Sequence, residues 1–412
     1  MVQNMEVSKS LFGIAVGLGP IGGLLAGLLA APLMARWGSG RVSVAFQVVA
    51  STSHLLIYTS GNWWWFALAL ILASAADAIT DISMNAHGMR VERRYKRSIL
   101  NSYHGWWSLG AVAGGILGSA CAQLGLALWI QGLIGLVVFG ALALFAGHFM
   151  LPGSDETERE VSSPSPASAA EVVEHTGPIP VVEADAADAD AIDVADTEAA
   201  AGSAGSARTK ALTHSTARGM LMIAALGLML IFAGSTEDAG NTWGAMFMQD
   251  TFAVTPFVAG LAFVSLQGAQ TIGRFVGDAV VDRLGDRRTA QVGALISAAG
   301  MTLALTVPHP VTAMVGFACA GLGIATLFPA GFRAADNMPG VRPGVGITLI
   351  GWFARIGFFV TPPIVGALAD ALTLRYALWM MPLYALGILV FSWTLPTKKA
   401  EPAVESASLS HG

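Results

Sequence analysis

Long apolar blocks alternate with short polar joints along this chain. Runs of membrane-crossing length fall at roughly 11–34, 42–60, 63–87, 99–122 and 126–151, and again at roughly 218–249, 257–281, 289–307, 310–333, 344–369 and 375–396. Each is near or above the ~20 residues that a helix needs to cross a hydrocarbon core. Such runs predict helices, because a backbone in lipid must satisfy its own hydrogen bonds. The stretch between the two sets, 153–216, is rich in Ala, Ser, Pro, Asp and Glu and poor in aromatics, and Asp185, Asp188, Asp190, Asp193 and Asp196 recur there in an alanine background. It buries too little apolar surface to offset its ordering entropy, which predicts a disordered acidic linker. The expected organisation is a transmembrane bundle at 1–152, the linker at 153–216, a second bundle at 217–397 and a tail at 398–412. The fold class is all-α integral membrane, with about eleven spans divided five and six.

Composition agrees. The chain is 54% hydrophobic and only 12% charged, with a mean hydropathy of +0.62, whereas a soluble domain is about a quarter charged. Most of the excess acid behind the net charge of −5 sits in the linker. Cys121 and Cys319 lie inside apolar runs and read as small hydrophobic packing residues. The first apolar run is too long for a cleavable signal, and another span follows it closely. No basic domain points to nucleic acid. Gly17-x-Gly19-x-x-Gly22 imitates a dinucleotide fingerprint, but it contains Pro20 and follows no strand. No Walker loop, zinc motif or nucleophile elbow is present. The expectation is a protein that is not an enzyme and holds no cofactor or metal. His87 and His104 near Asp81 are the only hint of intramembrane catalysis.

Basic residues set the orientation. Arg36 and Arg41 occupy the first joint, and Arg90, Arg93, Arg94, Lys96 and Arg97 the third. Arg283, Arg287 and Arg288 follow the second span after the linker, and Arg342 comes later. The alternate joints, near Gly61, Leu124, Pro308 and Thr373, carry almost none, Arg375 apart. The positive-inside rule makes the basic joints, the linker and the tail with Lys398 and Lys399 cytoplasmic, in a cell membrane. Trp63, Trp64 and Trp65 then lie at the outer interface, which suits amphipathic rings.

The two halves echo each other. Arg36-Trp37-Gly38-Ser39-Gly40-Arg41 follows the first span, and Asp282-Arg283-Leu284-Gly285-Asp286-Arg287-Arg288 the second span after the linker. This pair resembles the repeated loop signature of the major facilitator superfamily, Gly-x-x-x-Asp-Arg-x-Gly-Arg-Arg. The second copy fits well, with Asp278 in place of the leading Gly. The first has Ala35 where Asp is expected. Asp81-Ile82-Ser83-Met84-Asn85-Ala86-His87-Gly88, Val91-Glu92-Arg93-Arg94 and His104-Gly105-Trp106-Trp107-Ser108-Leu109-Gly110 resemble the fucose-permease-like branch. The resemblance covers both apolar blocks but not the linker. It implies two bundles of about six helices that rock about a mid-membrane site, meeting along the spans that begin near residues 11, 99, 257 and 344. In that register residue 11 opens the family's second helix, and Met1–Ser10 resembles the loop before it. A start assigned too far downstream and a genuine eleven-span protein are the two readings.

Ionisable groups inside a span cost about 2.5–3.5 kcal/mol each on insertion scales, so they tend to face a cavity or a partner. Asp77, Asp81 and Asn85 share one helical face, and Asp77 lies deepest. Glu237 and Asp238 are adjacent near mid-span. Repulsion and desolvation favour a proton held there, which makes Glu237, Asp238 and Asp77 the candidates for proton coupling. Gln267, Gln270, Arg274 and Asp278 form one stripe, on which Arg274 and Asp278 are spaced for an ion pair. Gln267 and Gln270, Asn101, His104 and Trp107, and Trp352 with Arg355 are the candidates to line the solute pathway. Arg36, Gly38, Arg41, Asp278, Asp282, Arg283, Gly285, Arg287 and Arg288 are the candidate gating residues of the basic joints. Gly19, Gly23 and Gly27, and Gly110, Gly114 and Gly118, form tracks expected to admit close helix contact. His54 reads as a packing residue.

The function expected is secondary transport of a small solute by alternating access, either coupled to protons or facilitative, by a monomer in the bilayer. A sugar or similar polar metabolite is favoured by the resemblance and the polar pathway residues. Efflux of amphipathic compounds and a non-transporting membrane sensor are the alternatives.

Overall fold

A computed structural model of the protein describes residues 6–95, 100–153, 194–336, 338 and 345–397; at 95, 100–105, 194–218, 336, 345, 347 and 348 it describes the backbone alone. Every regular element among these residues is helical. The first half holds α1 (Lys9–Trp37), α2 (Ser39–Tyr58), α3 (Trp63–Tyr95), α4 (Leu100–Gln123) and α5 (Leu128–Gly147). The second holds α6 (Val194–Phe252), α7 (Pro256–Leu284), α8 (Asp286–Thr306), α9 (Pro310–Ile324), α10 (Leu327–Asp336), α11 (Val345–Ala371), α12 (Leu374–Ala377) and α13 (Met380–Phe391), then a 3₁₀ turn at Ser392–Thr394. With α9–α10 and α12–α13 each continuing one rod, these elements fall on the apolar runs. Eight helices among the described residues are long and apolar enough to cross a membrane.

Local chemistry sets the helix starts. Ser8 caps α1 by accepting from the Leu11 N–H at 3.2 Å. Pro256 and Pro310 open α7 and α9, where a missing N–H costs nothing. The boundary of α6 differs from expectation. Residues 154–193 lie outside the described residues, but the helix begins at Val194, inside the stretch read as linker. Its alanines have the highest helix propensity of any residue, and composition read as low hydrophobicity hid that.

In the second half α6 runs through the middle of its bundle. Met229, Leu230, Trp243 and Phe247 are fully buried, against α7, α9 and α11. In the first half α1, α2 and α3 pack around Ala26, Ala30, Val42 and Ile79. A guanidinium ties down the end of each half. Buried Arg90 donates to the Pro152 and Gly153 carbonyls at 3.0 and 3.4 Å. Arg287 donates to the Leu395 and Trp393 carbonyls at 2.9 and 2.6 Å.

The halves meet along α1 with α11 and α4 with α7, the seams that the resemblance implied. Glycines make the contact, though not those of the expected tracks, of which the first instead brings Gly23 close against Ser74 of α3 within its own half. Gly13 and Gly17 abut the backbone at Pro362 and Phe359, Gly115 abuts Phe263, and Gly260 abuts Ser119. Gly110, Gly114 and Gly118 face open space instead. Spacing alone places a track on a face, but helix rotation decides which face meets the partner.

Candidate functional site

Between the two halves lies a cavity of about 600 Å³. α1 contributes Val16, Gly19, Pro20 and Gly23, α2 His54 and Ile57, and α3 Leu70, Ala73, Ser74, Asp77, Ala78 and Asp81. The second half closes it with Asp238 of α6 and Arg355 and Phe358 of α11. At 1.5 Å rise per residue, Asp77, Asp238 and Arg355 lie roughly 20–24 Å in from the ends of their helices away from the basic joints, so charges distant in sequence share one mid-depth level.

Asp77 projects into the cavity, exposed to it. One turn on, Asp81 accepts from the Asn85 Nδ2 at 2.9 Å. This bond within α3 occupies Asn85. Asp238 is nine-tenths buried. Its Oδ1 accepts from Thr242 at 3.3 Å, and its Oδ2 has no hydrogen-bond partner among the described residues. Arg355 donates to the Gly351 carbonyl at 3.2 Å and forms no ion pair among the described residues. His54 corrects the sequence reading: it is exposed on the wall, and its Nδ1 bonds the Ala50 carbonyl at 2.7 Å. A lone histidine in an apolar run gave no signal of this. His54 also lines a second cavity of about 220 Å³ with Tyr58, Cys121 and Gln131.

Glu237 turns away from its neighbour. It is buried and lies within electrostatic reach of Gln267, Gln270 and Arg274 on α7. Gln267 donates to the Asn241 Oδ1 at 3.1 Å, while neither amide atom of Gln270 has a hydrogen-bond partner among the described residues. The helix is unbroken here, so the two carboxylates point about 100° apart, one toward α7 and one into the cavity. The expected Arg274–Asp278 ion pair does not form. The Arg274 Nη1 donates across the seam to Ser108 at 3.0 Å, with its guanidinium carbon 5.7 Å from the Trp107 ring centroid, and Asp278 is exposed. A hydroxyl and a ring on the facing helix hold the guanidinium better than an exposed carboxylate one turn away. Trp352 is half-exposed and off the cavity wall. The side chains of Asn101 and His104 lie outside the described residues.

The basic joints repeat in three dimensions. Gly38 and Gly285 both take φ +80°, with ψ 149° and 158°. Their N–H groups bond the Met34 and Val281 carbonyls at 2.8 and 2.7 Å. Arg36 lies over Trp37, and Arg41, Asp282, Arg283 and Arg288 are exposed. Arg333 forms an ion pair with Asp286 here at 2.7 Å. His87 is part of a structural clasp, bonding Ser39 and the Leu151 N–H, both at 3.2 Å. At the opposite end Asp370 accepts from the Lys9 and Ser10 N–H groups at 3.0 and 2.8 Å and from the Ser10 hydroxyl. Lys9 pairs with Asp250 at 2.6 Å, and Gln123 accepts from the Phe257 N–H at 3.2 Å. These contacts cross between the halves and seal that end.

Two helical bundles around a charged mid-depth cavity, sealed at one end, define a polytopic membrane transporter. The profile of the Major Facilitator Superfamily matches residues 1–237 and 221–410, and the chain belongs to that family. It is 26% identical over 386 residues to an uncharacterized MFS-type transporter of Yersinia pestis, spanning 93% of this chain and 85% of the relative. It is 26% identical over 379 residues to membrane protein MosC of Rhizobium meliloti, spanning 92% and 79%. Among solved structures, the nucleoside transporter NupG aligns at TM-score 0.65 and 12% identity, covering 96% of this chain and 92% of that one. FucP in the outward conformation aligns at TM-score 0.53 and 14% identity, covering 94% and 90%.

Proposed function

We propose that the protein carries a small polar solute across the cell membrane by alternating access, driven by protons. The observation that carries this reading is the 600 Å³ cavity at the bundle interface, with Asp77 and Asp238 on its wall. In this arrangement the α1–α11 and α4–α7 seams close the end away from the basic joints. Those joints, the acidic segment and the carboxyl tail are cytoplasmic. Rocking the halves breaks the outer contacts and closes the other end. Asp238 and Asp77 exchange a proton with the cavity, while Glu237 sits behind the wall and acts through Arg274, which holds Ser108 across the seam. Gln267 and Gln270 belong to the support of Glu237, so they shape the pathway indirectly. The likeness to NupG and to FucP, which is described as a fucose:proton symporter, favours a polar metabolite and a proton.

The test uses sealed vesicles containing the protein and a pH-sensitive dye. Sugars, nucleosides, sugar acids and amines are added in turn. Proton movement with one class is expected. Solute uptake without any proton movement would remove the coupling but keep the carrier. No flux of any solute, with the protein shown to be folded, would count against transport.

A further inference from the structure

The cavity wall is unbalanced in a way that bears on what fits it. Three carboxylates, Asp77, Asp81 and Asp238, face one guanidinium, Arg355, which is paired with none of them. Asp81 already accepts from Asn85. Asp238 is the sharper observation: a nine-tenths-buried carboxylate whose Oδ2 lacks a donor, on the wall of the cavity. Buried acceptors are seldom left unmet, and no donor meets this one among the described residues. That oxygen lies just behind the wall surface, and a small rotation of the side chain would bring it to the cavity, where an entering solute can supply the donor.

We propose that the cavity takes a compact organic cation, a protonated amine, whose ammonium group is held between Asp77 and Asp238. This rests on reading the cavity as the solute pathway and deepens it to a substrate class. An ammonium offers three donors and a positive charge to a wall short of both. A bare metal ion fits poorly, because no group of three His, Cys, Asp or Glu among the described residues converges on a point. Val16, Ile57, Leu70 and Phe358 line the rest and suit the carbon skeleton of an amine. Arg355 repels a second positive charge and offers a donor to a hydroxyl or carboxylate at the far end of the solute.

The test works whichever amine is the natural solute. With Cys121 and Cys319 replaced by alanine, Ser74→Cys puts one thiol on the wall. Its rates of modification by a trimethylammonium methanethiosulfonate and by a sulfonate methanethiosulfonate are measured in detergent, each relative to a free thiol. The cationic reagent should be favoured on the order of tenfold or more, as expected of a focused negative potential. Asp77→Asn with Asp238→Asn should bring the ratio near one, in protein that still elutes as a single species. A ratio at or below one before those substitutions overturns the proposal. In the vesicle assay, amines should give the largest flux. Flux with neutral sugars or acids alone overturns the amine and leaves the carrier standing. No flux of any solute, beside a cation-preferring wall, counts against the carrier reading and not against the amine site.

Discussion

Adjacent carboxylates on a helix cannot share a task, because their side chains leave the axis about 100° apart. Glu237 and Asp238 therefore divide the work: Asp238 meets the cavity and Glu237 meets α7. Asp238→Asn keeps the shape and removes the titration. It should lower uphill flux driven by a pH gradient by tenfold or more, and raise the half-saturation concentration for exchange by a smaller factor; paired flux assays in vesicles check both. Arg274 is the second point of leverage. A hydrogen bond to a charged group is worth about 1.5–3 kcal/mol, roughly a tenfold effect or more. Arg274→Leu, which loses Ser108 and leaves Glu237 without its nearby cation, should slow transport by at least that factor. Arg274→Lys should recover part of it. Sequence showed these residues but not their partners. An i,i+4 spacing suggested Asp278 for Arg274, whereas the facing helix supplied Ser108 and Trp107. His54 carried no pattern at all until α1 and α3 were placed beside it.

Among the elements, the helices were the most legible part, since hydropathy over a span is a sum that no single residue can spoil. Both basic turns were legible too, because glycine and arginine stand at matching places. Their shared geometry, φ +80° with extended ψ, is open essentially to glycine alone, and strain there costs about 1–3 kcal/mol. Gly38→Ala and Gly285→Ala should each lower the unfolding temperature in detergent by a few degrees, which follows from that range for a protein of this kind. Equal melting to the parent would mean that the turns relax without cost. The helix faces were illegible. Gly115 and Gly260 make the α4–α7 crossing, one residue off the obvious track, because only the packed helices fix their rotation.

For the whole molecule, the question is whether the halves separate at the end away from the basic joints. Ser119 of α4 already abuts Gly260 of α7. Cysteines at Gln123 and Phe257, which already touch across this seam, should be joined by a short bis-methanethiosulfonate cross-linker that stops transport, and a reductant should restore it. Full transport with the cross-link in place would exclude rocking at this seam. Asp370→Asn acts in the opposite sense. It weakens the cap on α1 and should raise the reactivity of a cysteine placed at Phe12 toward a membrane-impermeant reagent. Two-bundle organisation was readable from the split of apolar runs, but which end is closed was not. That depends on contacts such as Lys9 with Asp250, between residues far apart in the chain.

The turns at Gly38 and Gly285 repeat one geometry in the two halves, while the cavity walls of those halves do not repeat each other. Asp77 and Asp81 stand on one side, and Asp238 with Arg355 on the other. Asp81 lies one turn nearer the basic joints than the other three, so a solute entering from that end meets it first, and the half-saturation concentrations for passage in the two directions should differ. With no gradient to drive it, a carrier can produce no net flow between equal concentrations. The maximal velocities must therefore differ in the same ratio, so the side that binds more tightly is also the side from which the carrier runs more slowly.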